Sequence, residues 1–366
     1  MSDRTTDRRH MRRALALALR GRGTTAPNPM VGAVVVREGV VVGEGVTQPS
    51  GGSHAEAQAL TAAGHAARGA TLYATLEPCA NYGRTPPCVD AIIAAGITRV
   101  VYAAGDPNPA MRGGAGKLRA AGLDVSGGLH EQDALDQNPA FFHRFTSDRP
   151  FVTLKLALSL DGAIADHRRG LGWLTGPAAR QEVHRQRSDH DAVAVGIGTV
   201  LADDPQLTVR GVPVSRVAPL RLVFDRTGRL PQGSALARTA MDVPVIVVGE
   251  CIPPEREHAL VAQGIRVVQA TGLPAQLREL RSSGIASLYC EGGAALADAL
   301  LAEGLVDRLV IFTAPVRLGA DAVRPLRSGP PVPVEQAEWH RLVSHRRMGD
   351  DLMAIYDLTP RVHRTR

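Results

Sequence analysis

Two α/β domains in succession are predicted by three observations. The chain has 366 residues, more than one ordinary core needs. Short valine-rich apolar runs alternate with Ala/Leu-rich helical stretches, the pattern of helices layered on a sheet. A polar break at 146–150 separates Phe141-Phe142 from a new apolar run, after which the alternation restarts. The expected domains are therefore 1–147 and 148–366.

The first domain reads as a three-layer α/β sandwich. Residues 7–21 carry Ala14-Leu15-Ala16-Leu17-Ala18-Leu19 behind several arginines and form a helix stopped by Gly21 and Gly23. Pro27-Asn28-Pro29 is a rigid turn into a buried strand at 31–36, with Val40-Val41-Val42 as its hairpin partner. A helix from about 54 to 64, strand 70–75, helix 88–95, strand 98–103, helix 113–122 and a short strand at 123–125 follow. Asp106-Pro107-Asn108-Pro109 is a turn just past a strand's carboxyl end, where ligands are commonly met in α/β folds.

The second domain does not repeat the first. Its expected order is strand 151–156, helix 177–187, strands 191–195, 220–224 and 243–248, helix 254–263, strand 265–268 and helix 274–282. Strand 286–290, helix 293–302, strand 307–312 and a closing strand at 352–358 complete it.

Composition narrows the class. An apolar content of 44% with mean hydropathy near zero fits a soluble globular protein. Four cysteines do not make a disulfide framework, so a reducing cytoplasm is expected. The formal charge is +6, but residues 1–22 hold seven arginines against Asp3 and Asp7, and the remainder is nearly neutral. That segment reads either as a phosphate-seeking tail or as the solvated face of a helix. Its apolar run is six residues long, shorter than a signal-peptide core, and no stretch is long enough to span a membrane.

The chemistry is concentrated in 54–88. His54-Ala55-Glu56 is followed by Pro78-Cys79 and Pro87-Cys88, the H-x-E and P-C pattern of zinc deaminases. One imidazole and two thiolates fill three corners of a tetrahedral zinc site and leave the fourth for water. Glu56, two residues after His54, can reach that water without ligating the metal. Each residue alone also reads as ordinary core or helix-start chemistry, but their grouping on two strand-to-helix junctions does not. The cysteines stand nine apart instead of three, so 80–87 must loop out over the site, where it could touch substrate.

Thr75-Leu76-Glu77-Pro78-Cys79 and Gly83-Arg84-Thr85-Pro86-Pro87-Cys88 lie between Pro27-Asn28-Pro29-Met30-Val31-Gly32 and Asp106-Pro107-Asn108-Pro109. Lys155-Leu156-Ala157-Leu158-Ser159-Leu160-Asp161-Gly162, Trp173-Leu174-Thr175, a segment at 198–208 and Glu291-Gly292-Gly293 follow in order. From about residue 11 to 320 the chain resembles the bifunctional deaminase-reductase family of riboflavin biosynthesis. The resemblance implies a cytidine-deaminase-like first domain and a dihydrofolate-reductase-like second one. The first would deaminate a diaminopyrimidinone ribotide using zinc on His54, Cys79 and Cys88, with Glu56 moving protons. The second would reduce the ribosyl group to ribityl with NADPH. No G-x-G-x-x-G follows any expected strand, in keeping with a fold that is not a Rossmann domain.

Residue by residue, the resemblance places Leu158, Trp173, Thr199 and Asp203, with Gly292, Gly293 and Ala294, at cofactor-contacting positions. The last three open a helix whose free amides suit phosphates. Asn28, Arg187, Leu207, Arg210 and Glu291 fall at substrate-contacting positions. Asn28 in its Pro-flanked turn is placed to hydrogen-bond the ring or ribose, the alternative being simply a turn residue, and the two arginines suit a phosphate or are surface arginines. Lys155 is one of only two lysines, the other being Lys117, and sits in an apolar strand. It either acts on the ring-opened sugar, with Asp203, or forms a structural pair with Asp161 or a neighbour. The chain departs from the family pattern at Asn81, at Gly45-Val46-Thr47, at Leu171 and at Arg226, which could grip the extra phosphate of NADPH. Family members tend toward dimers, with tetramers as the alternative. The competing readings are a nucleic-acid base deaminase using the basic first helix, and a non-catalytic zinc scaffold with a dinucleotide-binding domain.

Overall fold

The computed structural model describes residues 4–166, 172–212, 217–325 and 336–358. The chain divides between Thr146 and Ser147 into two units. Leu171, one of the departures, lies outside the described residues.

In the N-terminal unit the elements are α1 (Arg4–Ala18), β1 (Gly32–Arg37), β2 (Val40–Val46), α2 (Ala55–Ala63), β3 (Thr71–Leu76), α3 (Cys88–Ala94), β4 (Arg99–Ala104), α4 (Gly114–Ala120), β5 (Asp124–Ser126), α5 (Glu131–Gln137) and α6 (Pro139–His143). The sheet order is β2-β1-β3-β4-β5, antiparallel across β2-β1-β3 and parallel across β3-β4-β5. Helices cover both faces. A side chain on Gly32 would run into the backbone of α1, whereas one on Gly45, paired with Ala33, would run into α2. Met11, Ala14, Leu15, Leu17 and Ala18 of α1 are buried, and Arg4, Arg8, Arg9, Arg12 and Arg13 are exposed. The arginines therefore form the outer face of a packed helix. Asp7 ties that helix to the sheet: Tyr73 Oη donates to it at 2.5 Å, and Arg99 grips both carboxylate oxygens at 2.8 and 2.9 Å.

The C-terminal unit comprises β6 (Phe151–Leu158), α7 (Pro177–Ser188), β7 (Ala192–Gly196), α8 (Ile197–Asp203), β8 (Leu220–Phe224), α9 (Ala235–Arg238), β9 (Val245–Gly249), α10 (Pro254–Ala262), β10 (Arg266–Gln269), α11 (Leu273–Ser282), β11 (Ser287–Cys290), α12 (Ala294–Ala302), β12 (Arg308–Thr313), β13 (Arg341–Met348) and β14 (Asp351–Asp357). The nine-stranded sheet runs β10-β9-β8-β7-β11-β6-β12-β14-β13, parallel as far as β12 and antiparallel beyond. Its two faces carry separate apolar clusters, with Tyr289 in one and its neighbours Leu288 and Cys290 in the other.

The expected closing strand is β14, but it is not the edge. β13 lies outside it, and its Arg-Leu-Val-Ser-His-Arg-Arg-Met sequence hides a strand whose polarity suits an exposed edge. The helices α5, α6, α8 and α9 were also not expected; each has four to seven residues, too few to show a helical period.

Gly45 governs where α2 starts. A methyl group there would lie 2.0 Å from the carbonyl oxygen of Ala55, so only glycine lets the helix sit this close to β2. Gly45→Ala should destabilise the N-terminal unit by about 1–3 kcal/mol, the cost of overpacking. A lowered urea midpoint for that unit's unfolding checks it, and an unchanged midpoint contradicts it.

Candidate active site

In the N-terminal unit three ligand-bearing residues converge from two helix starts and one strand end. His54 is the extended residue just before α2, and its side chain makes no capping bond to the helix. Cys88 opens α3 behind Pro87, and Cys79 follows the end of β3. His54 Nδ1 stands 3.5 Å from Cys79 Sγ and 3.3 Å from Cys88 Sγ, and the three ligand atoms all lie within 4.8 Å of one another. A tetrahedral zinc with Zn–S of about 2.3 Å and Zn–N of about 2.0–2.1 Å needs an N···S edge of about 3.5 Å. The residues fit the ion.

The electrostatics agree with a cation site. Cys79 is held down to about 4, chiefly by its hydrogen bond with Cys88 and also by the imidazole. Cys88 is pushed up by the same contact and by burial, so the two sulfurs hold one proton between them. His54 is raised, mainly by its hydrogen bond with Cys79. Burial pushes Glu56 up to about 7 and Asp106 up to about 6. A divalent cation there would displace that proton, hold both sulfurs as thiolates and oppose the upward shifts of His54, Glu56 and Asp106. Glu56 is buried in the first turn of α2, with its carboxylate against Cys88.

The loop between the cysteines is braced. Asn81 Nδ2 donates to Ala110 O at 2.8 Å and its Oδ1 accepts from Lys117 Nζ at 3.2 Å, so this departure ties the loop to the turn after β4. Arg84 Nη1 donates to Ser50 Oγ at 2.8 Å. Thr85 Oγ1 lies 3.3 Å from His54 Nε2, a contact the sequence reading missed; the long cysteine spacing was its only signal. Thr47 is structural: its hydroxyl accepts from Val31 N at 3.2 Å. Asn28 lies in its turn with its N–H on Thr25 O, and its side-chain amide has no partner among the described residues.

In the C-terminal unit Lys155 on β6 faces Glu291 just beyond β11, with Arg187 of α7 beside them. Arg187 grips Glu291 with two bonds, Nε to Oε1 and Nη2 to Oε2, the latter at 2.9 Å, and its Nη1 donates to Thr208 O at 2.7 Å. Its fork is therefore filled by a carboxylate and a carbonyl. Burial would raise Glu291, but Arg187, assisted by Lys155, outweighs it and holds Glu291 below its usual value. Burial lowers Lys155; Glu291 opposes that shift and Arg187 adds to it.

The charged groups that bear on Lys155 are Glu291 and Arg187. Asp161 accepts from Ser159 Oγ and from the amides of Leu318 and Gly319. Asp203 is exposed at the end of α8, raised by burial alone. Leu207 is 2% exposed and packs in the core with φ of 54°, which leaves its backbone as the part a ligand can meet. Arg210 is exposed, its Nη1 3.2 Å from Gln206 Oε1. Trp173 is exposed with the Arg180 guanidinium 5.2 Å above its ring. Arg226 is paired with Glu250 at 2.8 Å. Leu158 closes β6.

Gly292 and Gly293 form a cradle before α12. Both have left-handed φ, 81° and 86°, and the carbonyl of Gly292 accepts from Gly196 N at 3.2 Å. A methyl group on Gly293 would lie 2.8 Å from Thr199 Oγ1, filling the space before the uncapped amides that start at Ala294. Such a cradle fits a phosphate.

Comparison with known proteins covers both units. Residues 4–104 match the cytidine and deoxycytidylate deaminase zinc-binding region, and residues 150–354 match the RibD C-terminal domain. The chain is 43% identical over 319 residues to the riboflavin biosynthesis protein RibD of Aquifex aeolicus, covering 86% of this chain and 89% of that one. The Escherichia coli protein of the same name is 42% identical over 340 residues, with the same coverage of both chains. Among solved structures, RibD of Acinetobacter baumannii superposes with a TM-score of 0.85 at 36% identity, covering 97% of this chain and 99% of that one. The Thermotoga maritima diaminohydroxyphosphoribosylaminopyrimidine deaminase/5-amino-6-(5-phosphoribosylamino)uracil reductase superposes with a TM-score of 0.83 at 34% identity and the same coverage.

Three outcomes are expected. Elemental analysis should find one zinc per chain, and Cys88→Ala should weaken zinc binding by more than about 100-fold, beyond the usual effect of residues that only support a ligand. Glu291→Gln strands the Arg187 guanidinium and should destabilise the C-terminal unit by about 3–5 kcal/mol in urea unfolding. An unchanged midpoint contradicts the pairing energetics.

Proposed function

The chain belongs to the RibD family of bifunctional riboflavin-biosynthesis enzymes, and from that premise we propose the substrate and residue roles of each unit. The N-terminal unit converts 2,5-diamino-6-(5-phosphoribosylamino)pyrimidin-4-one into 5-amino-6-(5-phosphoribosylamino)uracil. The C-terminal unit reduces the ribosyl side chain of that product to ribityl with NADPH. The observation that carries the first assignment is the three-ligand cluster with a buried, non-ligating Glu56 against it. A closed structural site has no use for such a carboxylate. A nucleic-acid base deaminase would leave residues 150–354 without a role, and those match a reductase domain.

When bound on His54, Cys79 and Cys88, zinc supplies a Lewis acid that makes water nucleophilic near neutral pH. Glu56 takes the proton from the attacking water and hands it to the departing nitrogen; a C–O bond forms, the C–N bond breaks and ammonia leaves. Asn28, whose side-chain amide has no partner among the described residues, orients the ring or ribose.

In the reductase a nicotinamide cofactor supplies the electron pair. Gly292, Gly293 and Ala294 receive its phosphates, and Leu158, Trp173, Thr199 and Asp203 line its path. Lys155 polarises or protonates the ring-opened sugar centre, with its charge set by Glu291 and Arg187. Arg187 acts by fixing Glu291, which faces the substrate together with Arg210 and the backbone of Leu207. The preference for NADPH over NADH belongs to the same reading. So do a homo-oligomeric state, dimer or tetramer, and a cytoplasmic setting in keeping with four free cysteines. Among the described residues no helix is long and apolar enough to cross a membrane.

Feeding the diaminopyrimidine ribotide to the purified protein with and without NADPH, and separating products by mass, tests both steps. Deaminated product alone is expected without the cofactor and the ribityl product with it; no deaminated product sinks the substrate assignment. Glu56→Gln should lower deaminase turnover by about 10²–10⁴-fold while zinc content and reduction of supplied deaminated intermediate persist. Lys155→Met should do the reverse, with the reductase lost and the deaminase intact.

A further inference from the structure

We infer that Thr85 is the positioning residue for the His54 ligand, and that the long segment between the two cysteines exists in this chain to deliver it. The inference rests on the zinc reading of the cluster. The imidazole has two nitrogens with different tasks. Nδ1 faces both sulfurs at 3.3 and 3.5 Å, so it is the atom that presents a lone pair to a metal. A neutral ring that ligates through Nδ1 keeps its proton on Nε2. Thr85 Oγ1, at 3.3 Å, is the only partner Nε2 has among the described residues. The separation lies just past the usual N–H···O range of about 2.7–3.2 Å. An acceptor there fixes the ring's rotation, holds the proton on the nitrogen away from the metal and makes Nδ1 a better donor.

The hydroxyl is carried by a segment that has little freedom to move. Thr85 O accepts from Gly83 N at 3.2 Å, closing a tight turn, and the neighbouring Arg84 is bonded to Ser50 at 2.8 Å. Upstream, Lys117 Nζ donates to Ala80 O at 2.6 Å and Asn81 holds Ala110 O at 2.8 Å. Downstream, Pro86 and Pro87 lock two successive φ angles before Cys88. A two-residue spacer between cysteines could not carry a side chain round to the far edge of the imidazole. The extended spacer does, and its bracing is what an orienting residue needs.

The test compares full-length wild type with Thr85→Val, which keeps the shape and removes the hydroxyl, and Thr85→Ser, which keeps the hydroxyl. Zinc affinity is measured by competition with a chromogenic chelator, and the site geometry by the visible spectrum of the cobalt-substituted protein. Thr85→Val should bind zinc about 10–100-fold more weakly, the usual cost of removing a ligand's supporting partner. Thr85→Ser should stay within about threefold of wild type and keep its cobalt spectrum. Wild-type affinity in Thr85→Val, or equal weakening in both variants, overturns the assignment while leaving the metal site intact. If wild type itself binds no zinc, the reading of the cluster falls and this inference with it. Should Thr85→Val not fold, nitrogen NMR of zinc-loaded wild type decides: a proton on His54 Nε2 is expected, and ligation through Nε2 overturns the proposal.

Discussion

Three side-chain atoms, one nitrogen and two sulfurs, within bonding reach of a single point constrain the N-terminal half of this molecule. The order of elements makes sense as a way to meet that demand. Each ligand sits at a junction: His54 before α2, Cys79 after β3 and Cys88 at the start of α3. The parallel pair β3 and β4 and the helices packed on them bring those junctions to one end of the sheet. Helix starts also favour anionic ligands, since their amides are unpaired and the dipole is positive there. Glycine at position 45 lets α2 approach β2 closely enough for His54 and Glu56 to share the pocket.

The C-terminal unit meets a different constraint. A carboxylate, a guanidinium and an ammonium lie together where β11 ends beside the middle of β6, and none of them can be isolated there at acceptable cost. Arg187 neutralises Glu291 and, through Thr208, also holds the segment that carries Leu207 and Arg210. Lys155 then senses both partners. Burial and Arg187 lower its proton affinity and Glu291 raises it.

In both halves candidate site groups lie beyond strand ends, on loops that are themselves hydrogen-bonded to other parts of the same unit. In the first unit that loop is 80–87, braced to Ala110, Lys117 and Ser50. In the second it is the Gly292-Gly293 turn, bonded to Gly196 and packed against Thr199. In each case the orienting contact comes from a residue remote in sequence.

The sequence by itself determined the alternation of strands and helices, the break near residue 146 and the ordered H-x-E and P-C motifs. These are local signals: apolar period, turn residues and ligand spacing. It did not show β13, because an edge strand need bury neither face and so carries no alternation. It did not show that Arg187 is spent on Glu291, that Lys155 lies within the field of Glu291, or that Leu207 is buried. Nor did it reveal what Thr85 touches. Those are contacts between residues 31 to 136 positions apart, or a single side chain's choice of direction, and they are fixed only when packing decides which groups must neutralise one another out of water.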